Sequence, residues 1–175
     1  MEKFIKCYTE NIHRPGADKL LEYLKSTDFF KAPASTRYHG NYEGGLCKHS
    51  VNVYTRLSDR CGNSETVAIV SLLHDICKAD FYTTDYRNVK QPDGTWQRVP
   101  YYTIEDQLPI GTHADKSVFI VQRFMQLSNE EIAAIRFHMG GFQEGDSRSF
   151  SNAASKYPLV IYLHEADMEA SYFDD

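Results

Sequence analysis

A mainly all-α fold is predicted, a helix bundle carrying one small inserted β-hairpin. Three observations predict it. Apolar residues recur at helical spacing through most of the 175 residues. The stretch from Phe81 to Asp106 breaks that rhythm with aromatic and β-branched residues around a Pro-Asp-Gly turn. Histidine and aspartate side chains interrupt the apolar rows of several predicted helices, where only a shared partner makes them affordable.

Taken in order, Glu2 to Asn11 reads as a short helix, broken by Arg14-Pro15-Gly16. Ala17 to Ser26 resumes with Leu20, Leu21 and Leu24 on one side, and Ala32 to Gly45 is a loop. Gly44-Gly45 opens a long helix to about Arg60, with Leu46, Val53 and Leu57 on one stripe. Cys61-Gly62-Asn63 ends it. Ser64 is the expected N-cap of a helix from Glu65 to Lys78, apolar almost all round and therefore central. Gln91-Pro92-Asp93-Gly94 turns the hairpin. Further helices are expected at about His113 to Gln126, Asn129 to Phe137 with Ser128 as cap, and Lys156 to Tyr172, with a loop from Gly140 to Ser155.

The length suits one domain over residues 1–175. A net charge of −5, spread along the chain, offers no basic stripe for a long nucleic acid, though local Lys and Arg can serve a short phosphorylated ligand. No apolar run is long enough for a membrane span or signal peptide. The four cysteines lack C-x-x-C spacing and read as free, mostly buried thiols of a cytoplasmic protein.

His74-Asp75 is the most informative pair. His74 lies on the row Val67, Val70, Cys77, while Asp75 shares a face with Ser71 and Lys78. His49 stands on the stripe of Leu46, Val53 and Leu57. Asp167 falls on the row Val160, Leu163, Ala170. His138 follows Ala134 and Ile135, and His113 heads the row Ser117, Ile120, Phe124. Six candidate ligands thus come from five helices and point inward, and a bundle core is where such side chains converge. Any one of them alone would read as a satisfied core residue. Together they suit a divalent cation, because imidazole nitrogen and carboxylate oxygen are both metal ligands.

The order His49, His74-Asp75, Asp167 resembles the HD-domain superfamily of metal-dependent phosphohydrolases, whose pattern is H…HD…D. The resemblance covers about Tyr38 to Ser171. It is carried by Gly44-Gly45-Leu46-x-x-His49-Ser50, Leu73-His74-Asp75-x-x-Lys78 and Glu165-Ala166-Asp167-x-x-Ala170. The segments Tyr102-Thr103-Ile104, Gly111-x-His113 and His138-x-Gly140 are most similar to the branch containing the bacterial 3′–5′ exoribonucleases. That branch commonly has a His-His pair where this chain has His138-Met139. His164 has a counterpart there, with a structural or supporting part expected. No nucleic-acid-binding domain precedes the HD segment within these residues, so a nucleotide or short oligonucleotide is the expected partner.

The resemblance implies that His49, His74, Asp75 and Asp167 hold a first ion. Asp75 would bridge to a second held by His113 and His138, one or two ions of Mn, Fe, Co, Ni, Zn or Mg in all. A metal-activated water would then attack phosphorus without a Ser or Cys nucleophile. Lys78 is expected either to hold a phosphate oxygen or to be a plain helical partner of Asp75. Arg37, Tyr38 and His39 fall in the loop that the resemblance places at the rim of the site, or are simple loop polarity. Tyr82, Trp96, Tyr101 and Tyr102 could stack on a nucleobase or form the hairpin's own packing face. Arg136 reaches phosphate or solvent. Two alternatives stand beside hydrolysis: a di-iron oxygenase similar to inositol oxygenase, with the same ligand order, and a binding module with a structural metal.

Overall fold

The computed structural model describes residues 1–142 and 145–174. Helices α1 (Glu2–Asn11) and α2 (Ala17–Ser26) come first, Phe4 and Tyr8 of α1 and the three predicted leucines of α2 being buried. The Tyr8 hydroxyl donates to the Ala17 carbonyl at 2.8 Å and ties the two helices together. Helix α3 (Gly45–Cys61) buries Leu46, His49, Val53 and Leu57 along one stripe, as the spacing predicts. Helix α4 (Glu65–Leu73) is capped by Ser64, whose side chain accepts from Val67 N.

Strands β1 (Tyr82–Lys90) and β2 (Trp96–Ile104) form an antiparallel hairpin in the register Tyr82↔Ile104 to Lys90↔Trp96. Pro100 is tolerated because each strand of a two-stranded sheet has an unpaired edge. Helices α5 (His113–Gln122), α6 (Asn129–Arg136), α7 (Ser147–Lys156) and α8 (Leu159–Phe173) complete the chain. Thr112 with Asp115 and Ser128 with Glu131 form reciprocal capping boxes at α5 and α6.

One apolar core joins these helices. Helix α3 packs on α4 and α8, α6 on α8 and α5, and α1 on α3 and α4. Arg56 and Arg60 of α3 pair with Glu169 and Glu165 of α8. These pairs are a quarter to nearly half exposed, so each is worth only about 0–1 kcal/mol. They act on register; the apolar contact supplies the stability.

Four boundaries differ from expectation. The predicted helix Glu65–Lys78 is α-helical only to Leu73. Asp75 takes φ −112° and ψ 18°, and Ile76–Lys78 tightens into a 3-10 turn closed by Lys78 N–H to the Asp75 carbonyl at 3.0 Å. Helix α5 ends at Gln122 rather than Gln126, its last carbonyls taken by Arg123 and Phe124. The last helix starts at Leu159, because Tyr157 precedes Pro158 and is held extended. Within the expected Gly140–Ser155 loop, residues 143 and 144 lie outside the described residues, yet Ser147–Lys156 is helical. Ser and Asn are poor helix formers, which hides α7 from propensity. Phe150, 6.1 Å from the Phe137 ring and 6.3 Å from the His164 ring, anchors it. Among the thiols, Cys47 and Cys77 are buried and Cys61 is exposed. No described helix is long and apolar enough to cross a membrane.

Candidate metal centre

The bundle interior holds His49, His74, Asp75, His138 and Asp167, all buried, with His113 at its margin. His49 Nε2 lies 3.0 Å from Asp167 Oδ1 and 3.3 Å from His74 Nε2. His74 Nε2 is 3.4 Å from Asp75 Oδ2 and 3.7 Å from Asp167 Oδ1. On the other carboxylate oxygen, Asp75 Oδ1 is 3.6 Å from His138 Nε2 and 3.8 Å from His113 Nε2, which are themselves 3.2 Å apart. Three overlapping sets have donor atoms within 4.8 Å of one another: His49, His74 and Asp75; His74, His138 and Asp167; Asp75, His113 and His138. Asp75 is shared by the first and third, as a bridging ligand would be. His138 also groups with His74 and Asp167, so it sits between the two ends rather than only beyond Asp75.

Backbone carbonyls set the tautomers. His74 Nδ1–H donates to Ser71 O at 2.8 Å and His138 Nδ1–H to Ile135 O at 2.7 Å. Each carbonyl can only accept, so the facing Nε2 atoms carry lone pairs. His164 donates to the His138 carbonyl at 2.6 Å and holds that backbone in place. Burial, then the neighbouring His74, pulls His138 down to about 3, so this imidazole is neutral. Burial also lowers His113. For Asp75, burial pushes upward, but Lys78 holds the carboxyl well below its usual range; for Asp167 the hydrogen bond from His49 outweighs burial and lowers the carboxyl likewise.

The arrangement is therefore two buried carboxylates facing imidazole lone pairs. Asp75 Oδ1 is buried and has no hydrogen-bond donor among the described residues. A buried acceptor left alone costs about 1–3 kcal/mol, more when charged. The chemistry of this donor set fits a divalent cation, which would satisfy the oxygen and the lone pairs together.

Lys78 follows from the 3-10 turn. In such a turn residues i and i+3 eclipse, so Lys78 stacks on Asp75. Its Nζ lies 2.7 Å from Asp75 Oδ2 and donates to the Ala34 carbonyl at 2.9 Å. That carbonyl also accepts from the Tyr82 hydroxyl at 3.3 Å. Sequence reasoning missed Ala34, because a backbone acceptor leaves no trace in residue type.

The Ala32–Gly45 loop closes on itself through Ala34 N–H to the Gly40 carbonyl at 2.9 Å. It is laced to the start of α3 by Gly44 N–H to Lys31 O and Leu46 N–H to Ala32 O. Gly45 explains the motif's second glycine: a Cβ there would meet the Gly40 carbonyl oxygen at 2.0 Å. The loop lays the His39 ring 4.8 Å from the His49 ring, with His39 Nε2 buried and without a partner among the described residues. Burial, then His49 and Lys78, lowers the His39 pKa.

The other expected contacts are placed unevenly. Arg37 is exposed on the loop. Tyr102 is half-buried, its ring 6.4 Å from that of Tyr82. Trp96 is 68% exposed at the hairpin tip. Arg136 is engaged by Asp115 and by Asp146 and lies over the Phe137 ring. Met139 is exposed, unlike its buried neighbour His138.

Comparison with known proteins agrees with this geometry. Residues 46–170 match the family model described as HD domain. Over 128 residues the chain is 25% identical to the dihydroneopterin 2′,3′-cyclic phosphate phosphodiesterase of Methanocaldococcus jannaschii. The match covers 60% of this chain and 49% of that protein, so the chain spans about half the length of the curated relative. No solved structure matches the chain significantly.

Proposed function

The chain belongs to the HD domain family, and from that premise we propose that its buried centre is a metal-dependent phosphohydrolase or phosphodiesterase site for a nucleotide or short oligonucleotide. The observation that carries the proposal is Asp75 Oδ1, buried and without a donor beside the Nε2 atoms of His113 and His138. In this reading His49, His74, Asp75 and Asp167 hold one ion. Asp75, His113 and His138 hold a second, weaker one, drawn with the first from Mn, Fe, Co, Ni, Zn or Mg. A divalent cation supplies Lewis acidity and a water of lowered pKa.

The chain's own groups do the rest. Lys78 keeps Asp75 ionised, and the carbonyl of Ile135 keeps the His138 lone pair aimed inward. The Lys78 ammonium has three donors and uses two, on Asp75 and on Ala34 O. The third is left for a non-bridging phosphate oxygen, where added charge in the transition state is stabilised. His39 Nε2 is the other buried polar atom at this edge without a partner, and it suits a contact to substrate. A phosphodiester is favoured by the relative's printed activity and by the motifs shared with the exoribonuclease branch.

The test is elemental analysis of the purified protein, paired with phosphate- and nucleotide-release assays. The panel holds mononucleotides, 2′,3′-cyclic nucleotides and a dinucleotide. We expect metal-dependent cleavage abolished by chelator, and loss of both metal and turnover in Asp75→Ala. A protein holding two irons that consumes oxygen and leaves every phosphoester intact would replace this reading with the oxygenase.

A further inference from the structure

A groove of about 1020 Å³ opens between the Ala32–Gly45 loop and the hairpin. Pockets for small ligands run to roughly 300–1,000 Å³, so this one lies at the upper end of that range. Its loop wall includes Arg37 and Asn41, and its hairpin wall includes Arg87, Pro100, Tyr101 and Tyr102. We propose that this groove holds the nucleotide adjoining the scissile phosphate, so that the substrate is a dinucleotide or longer oligonucleotide rather than a mononucleotide. The inference rests on the phosphohydrolase reading and deepens it.

Position is the first argument. Both walls are built on residues that touch the metal centre. Arg37 and Asn41 flank His39, whose ring packs on His49. Tyr102 neighbours Tyr82, whose hydroxyl shares the Ala34 carbonyl with Lys78. A chain leaving the centre past His39 or Lys78 therefore enters the groove.

Charge is the second. The protein carries a net −5, yet two arginines and no carboxylate line the groove. Neither Arg37 nor Arg87 has a carboxylate partner among the described residues. Unpaired guanidinium groups beside an anion-processing centre are complementary to phosphate, which they hold in bidentate fashion.

Aromatic surface is the third. The Tyr101 hydroxyl donates to Asp85 at 3.1 Å, and the Arg87 guanidinium lies over the Tyr101 ring at 5.3 Å. That fixed, half-buried ring offers a face of the kind on which a base stacks in a sequence-tolerant way, while Pro100 and Tyr102, on the opposite face of the strand, line another part of the groove.

The test separates binding from chemistry. Titrate 5′-phosphorylated diadenylate, pApA, into the protein in excess chelator, so that nothing is turned over, and compare AMP. We expect pApA to bind at least tenfold more tightly than AMP. Arg87→Ala and Tyr101→Ala should each weaken pApA about tenfold, the low to middle part of the range for lost base stacking. Arg87→Lys should recover part of the loss. Circular dichroism confirms that the variants are folded. The inference is overturned if the wild-type protein does not prefer pApA, or if both folded variants bind it unchanged. Failure of the underlying reading looks different: pApA binds in the groove, but the metal-loaded protein cleaves no phosphoester.

Discussion

Replacing Lys78 with Met tests the electrostatic logic of the centre without touching a proposed ligand. In the metal-free protein Lys78 is the sole cation within hydrogen-bond reach of Asp75, at 2.7 Å, among the described residues. Asp75 is 3% exposed and Lys78 15%. Removing one partner of a buried pair costs about 3–5 kcal/mol, because the remaining charge is left uncompensated. Lys78 keeps some contact with water, so the low end, about 3 kcal/mol, is the expectation. At roughly 2–4 °C per kcal/mol for a chain of this size, the metal-free melting temperature should fall by roughly 6–12 °C. A divalent cation supplies the missing positive charge, and it no longer meets the Lys78 ammonium. Added metal should therefore raise the melting temperature of Lys78→Met by more than it raises the wild type. Calorimetric melts of both proteins, in chelator and in saturating Mn or Zn, read the two increments. Equal increments, or a metal-free variant as stable as wild type, would refute the argument.

Two further outcomes follow from packing and from linkage. Gly45→Ala should gain up to about 1 kcal/mol from helix propensity, but its Cβ meets the Gly40 carbonyl oxygen at 2.0 Å. Overpacking of about 1–3 kcal/mol should win, lowering the melting temperature and, by displacing the loop that holds His39 and the Ala34 carbonyl, lowering turnover as well. A variant as stable and active as wild type would show that the loop is not anchored there. Glu131 is buried; it pairs with Arg14 at 2.8 Å and accepts from Thr66 and Ser128. Burial pushes its carboxyl up, but Arg14 outweighs this and holds its pKa below the usual value. A depressed carboxylate stabilises the fold above its unfolded pKa of about 4.3 and loses that contribution as pH falls through the folded value. Glu131→Gln should therefore cost about 3 kcal/mol at pH 7, and its melting curve should converge on wild type in acid. A gap that persists unchanged below pH 3 would contradict the linkage.

The helix bundle and the inserted hairpin were legible because hydrophobic period is a local property, and 3.6 and 2 are easily told apart. The inward placement of His49, His74, Asp75, His138 and Asp167 was legible for the same reason, each lying on or beside an apolar row of its own helix. The resemblance to the HD superfamily rested on those residues, and the family match over residues 46–170 agrees with it. Helix α7 was not legible, since Ser and Asn carry no helical signal and the contact that orders Phe150 comes from other helices. Arg87 was not singled out, because one arginine on an exposed strand is unremarkable until a loop some fifty residues earlier faces it across a groove.

What the sequence determined by itself was which side chains point inward, and hence that the centre is a buried set of His and Asp. What only the tertiary structure decided was how those side chains meet. The helix carrying His74 gives way to a 3-10 turn at Asp75, and this eclipses Lys78 onto the carboxylate. The Ala34 carbonyl then fixes the lysine from a loop distant in sequence. A periodic pattern encodes the direction in which a residue faces within its own element. Distances between elements, and the backbone groups that wait there, depend on packing that no local window contains.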